Sequence, residues 1–149
     1  MQVNLNTNCQ KTQFGMAFRK PVTPQAKKVL AEYAGLDKKI GIKGFKQFLK
    51  EQQALTRFDV KFNPESKSVD VIDNLNNKVV SSYINMGNQT GFSVFGEVQF
   101  PGEKLLARIF NPKKFLPKNI YLAGEEAKIF EAKTIKHENM VNNIDELFN

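Results

Sequence analysis

The apolar residues of this chain change period at Thr56, and that change limits the folds open to it. Upstream, Ala26, Val29, Leu30, Tyr33 and Ala34 recur at i, i+3, i+4, i+7 and i+8, the spacing of one helix face. Downstream, Phe58, Val60 and Phe62 alternate with Asp59 and Lys61, the period of a half-buried strand. Helices, then an antiparallel meander, then helices again predict the α+β class. At 149 residues the chain has the length of one domain and can bury enough surface to fold without disulfides or metal.

The local signals give the order of elements. Thr23 is a good N-cap, Pro24 suits the first helical position and Gly35 stops the first helix. A second helix is expected from Lys43 or Gly44, with Phe45, Phe48, Leu49 and Leu55 on one face and a linker over Leu36–Ile42 before it. Four strands are expected: Phe58–Phe62, Val69–Val71, Val79–Ile84 and the alternating Phe92, Val94, Gly96, Val98 and Phe100. Asn63-Pro64-Glu65-Ser66 and Asp73–Asn77 supply turn chemistry between the first three. Leu105, Leu106, Ile109 and Phe110 predict a short helix broken at Asn111-Pro112. A further helix is read mainly from Glu125 onward, with a terminal apolar stripe of Met140, Val141, Ile144, Leu147 and Phe148. The expectation is therefore an N-terminal helix pair, a meander of about four strands and C-terminal helices in a single domain over residues 21–149.

Residues 1–20 are rich in Asn, Gln and Thr and show no helical period, so they read as a flexible N-terminal arm. Within them Phe14, Met16 and Phe18 alternate as a strand would, which predicts a short edge strand or a segment docked on the body. The one cysteine, Cys9, has no partner for an internal disulfide, and no Cys/His cluster has metal-ligand spacing. The longest apolar runs fall far short of the roughly 20 residues a bilayer span needs, and no signal peptide is visible. A cytoplasmic location is the expectation.

Charge is distributed unevenly. The chain carries +7 overall, with Lys and Arg totalling 22. Residues 1–54 carry a balance of +7, 55–100 carry −1, 101–118 carry +4 and 119–149 carry −3. An AT-rich coding bias enriches Lys, Asn and Phe, but a uniform bias would not concentrate the excess in one third of the chain. Lys39, Lys43, Lys46 and Lys50 follow at i, i+4, i+7 and i+11, one stripe of a helix about 160° from its apolar face. Glu51 is the only acid between residues 38 and 55. That stripe is either a solvated helix face or a ridge that meets an anion.

One local pattern carries a mechanism. In Ile40-Gly41-Ile42-Lys43-Gly44-Phe45, a GxxG turn entering a basic helix would set backbone N–H groups and a positive helix end against a phosphate. It resembles the GxxG loop of KH RNA-binding modules, which clamps the nucleic-acid backbone between two helices. The resemblance covers about ten residues. Gln47 stands where that pattern has an aliphatic residue, and no strand precedes the first helix. A plain interhelical turn is the alternative.

Catalytic patterns are absent: no GxSxG, HExxH, Walker or GxGxxG motif occurs. His137 is the only histidine, and Asp70 with Asp73 or Glu125 with Glu126 are the carboxylate pairs nearest in sequence. No catalytic residue, metal ligand or cofactor is assigned. The reading is a non-enzymatic binding or adaptor protein whose partner is an acidic protein or other polyanion. Its contact residues would be Lys38, Lys39, Gly41, Lys43, Gly44, Lys46 and Lys50. RNA or DNA binding through the same helix is the alternative, with little sequence preference because only three cations are Arg, the residue suited to bidentate base reading. A small enzyme with an unrecognised site is the second alternative.

Overall fold

A computed structural model describes residues 18–94, 96 and 100–149. Its described elements, in chain order, are α1 (Pro24–Tyr33), α2 (Lys39–Gln53), β1 (Phe58–Asn63), β2 (Ser68–Asp73), β3 (Lys78–Tyr83), α3 (Glu103–Phe110) and α4 (Lys118–Phe148). Four helices and one antiparallel sheet in the order β1-β2-β3 make the chain α+β.

Two hairpins build the sheet. Phe62 pairs with Val69 and Phe58 with Asp73 across the first, and Val69 pairs with Tyr83 across the second. Lys67 and Asn77 close these turns at φ 55°, a conformation Asn tolerates better than most residues. Val60, Val69 and Val71 are fully buried, and they meet Phe48, Leu116, Ile120 and Ala123 in one core. Phe18 joins that core from the other side of β1. It forms a parallel bridge with Val60, and its ring meets Phe45 and Phe48 edge-on at 5.5 Å each. Phe14, Met16 and Cys9 lie outside the described residues.

The expected fourth strand is not formed over its first residues. Gly91–Val94 is a single 3-10 turn, because Phe92 turns inward against Phe115, with ring centroids 5.0 Å apart. A Cβ on Gly91 would lie 2.9 Å from the Lys114 backbone and the Tyr121 ring, so the chain passes there too closely for a sheet edge. Phe100 is half-exposed in the bend before α3, and Val98 lies outside the described residues.

Helix α2 starts at Lys39, four residues before the expected boundary. Gly41 and Gly44 therefore sit inside the helix and not in a turn. Helix α4 is continuous from Lys118, seven residues before the expected start, and runs 31 residues. Gly124 would ordinarily weaken it, but there the helix approaches α2 so closely that a Cβ would meet the Phe48 ring at 2.5 Å. Gln52 fixes the same crossing by donating from Nε2 to the Gly124 carbonyl at 3.2 Å.

Candidate functional site

The lysine ridge follows from the position of α2. Phe48 and Gln52 are buried on its inner side, so the opposite side, carrying Lys39, Lys43, Lys46 and Lys50, faces solvent. Lys38 precedes them as the extended N-cap residue and is also exposed. Among the described residues none of these five ammonium groups is in an ion pair, whereas Arg19, Arg57, Lys113, Lys114 and Lys128 all have a carboxylate partner. The ridge spans about 16 Å along a rigid rod.

Gly41 and Gly44 do not border that ridge. A Cβ on Gly41 would collide with the Gly35 carbonyl oxygen, and one on Gly44 would lie 2.5 Å from the Pro112 carbonyl oxygen. Both glycines let other backbone segments press against α2, and those segments occupy the space a phosphate would need. The KH-like reading of Gly41-Ile42-Lys43-Gly44 is corrected on this ground: the pair is a helix-packing device. The signal was ambiguous in sequence, since small residues four apart or fewer serve both purposes.

Behind the ridge, α2 is clamped by charge. Glu51 accepts from Lys113 Nζ at 2.5 Å and from Lys128 Nζ at 2.7 Å, and Glu125 accepts from the same two ammonium groups at 2.9 and 2.8 Å. Burial pushes both carboxyls up, but the two lysines outweigh it and hold them below the usual carboxylate range. Gln47 adds a second clamp, accepting from the Lys113 backbone amide at 2.9 Å. The ridge helix is thus fixed on its inner side and free on its outer one.

A cleft of about 570 Å³ lies between the end of α1 and the loop after β3, lined by Tyr33, Lys67, Asn85, Gln89, Thr90 and Phe115 among others. The Tyr33 hydroxyl donates within a fork formed by Asn119 Oδ1 at 2.8 Å and Asn85 Oδ1 at 3.2 Å. Burial pushes its pKa up, so it stays a neutral donor. His137 is exposed on the outer half of α4 and does not line the cleft.

The carboxylates considered for acid–base work each have a structural partner. Asp70 accepts from the Ser82 hydroxyl at 2.6 Å, and Asp73 takes the Arg57 guanidinium on both oxygens. Glu126 accepts from the Tyr83 hydroxyl at 2.6 Å, and burial together with that carboxylate pushes the Tyr83 phenol up to about 12. Among the described residues no group of three or more His, Cys, Asp or Glu side chains could hold a metal ion, and no helix is long and apolar enough to cross a membrane.

A feature that sequence reasoning missed is the outward face of α3. Leu105, Leu106, Ile109 and Phe110 predict the short helix but not which face it buries. Glu103 and Ala107 face in, and Leu105, Ile109 and Phe110 are 64, 64 and 74% exposed. The chain matches no protein-family model, no curated protein and no solved structure.

Proposed function

We propose that this chain is a non-enzymatic binding module that presents the α2 ridge to an acidic protein surface. The observation that supports the reading is the concentration of free charge: Lys39, Lys43, Lys46 and Lys50 are exposed and unpaired among the described residues on one face of a helix whose inner side is held by the Glu51 and Glu125 pairs with Lys113 and Lys128. Because α2 is already clamped by Glu51, Gln47 and the two glycines, a partner would not have to order it, which lowers the cost of association. Lysine acts as a point charge with little geometric demand, which suits recognition of an acidic surface more than of a base sequence.

The test replaces all four lysines with Gln, which keeps a straight side chain and should change stability by under about 1 kcal/mol. Binding to polyglutamate and to duplex DNA is then measured across a salt series. The expected result is that the parent binds polyglutamate and the variant binds at least about tenfold more weakly at low salt, where exposed charges are least screened. If duplex DNA is the better ligand and its salt slope falls by up to about 3.6 units on substitution, about 0.9 per phosphate contact, the nucleic-acid reading replaces this one. Equal binding of both probes by parent and variant makes the stripe a solvated helix face.

A further inference from the structure

Two helices of this chain present apolar surface that nothing in its own described fold covers. The first is α3, whose arc of Leu105, Leu106, Ile109 and Phe110 points outward. The second is the outer half of α4. Its last buried residue is Glu131, yet Met140, Val141, Ile144, Leu147 and Phe148 continue as one stripe and are 44 to 86% exposed. On a helical projection that stripe is about 120° wide, and its length over residues 140–148 is about 12 Å, close to the length of α3 itself.

The stripe has no route to its own body. Helix α4 is unbroken from Lys118 to Phe148, and no Gly or Pro occurs after Gly124. Phe148 therefore lies about 25 Å beyond Glu131 along a straight rod. Helix α3 joins the body through Asn111–Pro117, immediately before the other end of that rod. An unsupported helical overhang containing Asn139, Asn142 and Asn143 is also marginal by itself, since helices in water draw most of their stability from packing.

The charges at the two surfaces are opposite. Beyond Lys136 the helix carries Glu138, Asp145 and Glu146 and no lysine or arginine. Glu138 and Asp145, seven apart, fall along one flank of the stripe. The α3 arc is flanked by Lys104 and Arg108, which lean over Phe92 and Phe115 at 5.8 and 5.7 Å and remain exposed. Pairing two α4 ends with each other would set acid against acid.

We propose that the acid-flanked outer half of α4 docks its stripe on the cation-flanked apolar arc of α3 in a second copy of this chain. The contact joins unlike surfaces, so it leads to reciprocal pairs, closed rings or open chains according to the rotation it imposes. It goes beyond the lysine-ridge reading and uses none of the ridge lysines.

Sedimentation velocity over a range of concentrations tests it on the full chain. Two variants are used, Leu105→Gln with Ile109→Gln on α3, and Ile144→Gln with Phe148→Gln on α4. All four positions are at least half exposed, and circular dichroism checks that the fold is kept. The parent should self-associate, each variant alone should associate at least tenfold more weakly, and an equimolar mixture should form a 1:1 pair. Lys104→Glu with Arg108→Glu should weaken association likewise, and combining it with Glu138→Lys and Asp145→Lys should restore it. A parent that stays monomeric at all concentrations overturns the proposal, and if that monomer binds phosphatidylserine vesicles through α3 the occupant is a lipid surface. Undiminished association of the α3 variant also overturns it, in favour of pairing between α4 ends, as does undiminished association of the α4 variant.

Discussion

The Glu131 carboxylate, more than three turns into α4, ties down the start of β1 by accepting from both the backbone amide and the hydroxyl of Thr56, each at 2.8 Å. It also accepts from the amides of Arg57 at 2.9 Å and Phe58 at 3.3 Å. Three successive amides converge on one side chain, so the longest helix and the first strand are locked at a single point.

Replacing Glu131 with Ala should cost about 2–4 kcal/mol, because it removes charge-assisted hydrogen bonds and strands amides that burial keeps from water. Burial pushes the Glu131 carboxyl up, but the Thr56, Arg57 and Phe58 donors prevail and leave it below its ordinary value. Its contribution is thus complete above the unfolded value of about 4.3 and fades as pH falls through the lower native one. Urea unfolding at pH 7 and at pH 3 should show a smaller difference between parent and variant at the acid end.

Gly44→Ala should destabilise the protein by about 1–3 kcal/mol, since the added carbon would sit 2.5 Å from the Pro112 carbonyl oxygen, a backbone atom that cannot swing aside. In an exposed helix the same change would stabilise by about 1 kcal/mol. The sign of the change in urea midpoint separates a packing glycine from a glycine in an open turn.

Lys113→Met should cost about 1–2 kcal/mol at neutral pH, as Glu51 and Glu125 would then share Lys128 alone. Both carboxyls are lowered in the native protein, so the stabilisation the lysines give is present above about pH 4.3 and is lost as the carboxyls protonate. The variant should therefore lose less stability than the parent between pH 5 and pH 3 in thermal scans.

Phe18→Ala and Phe100→Ala should differ sharply. Phe18 is 3% exposed and wedged between two rings, and its loss should cost about 3–5 kcal/mol. Phe100 is 48% exposed, and its loss should cost under about 1 kcal/mol. Chemical denaturation of the two variants under one condition checks both, and a large effect at Phe100 would return it to a buried strand.

The α+β class, the Thr23 cap and the first two strands were legible in the sequence because each rests on interactions within a few residues. Thr23 Oγ1 accepts from the Ala26 amide at 3.0 Å, and the period-two residues Val60, Val69 and Val71 do line the core. The exposure of Lys39, Lys43, Lys46 and Lys50 likewise follows from helical periodicity opposite Phe48. The use of Gly41 and Gly44, the straight run of α4 through Gly124, the inward turn of Phe92 and the outward arc of α3 were decided only in tertiary structure. Each depends on a neighbour remote in sequence: Gly44 on Pro112, Gly124 on Phe48, Phe92 on Phe115. Close backbone approach and the choice of which apolar face to bury are set by the shape of the partner surface, and local periodicity carries no record of that shape.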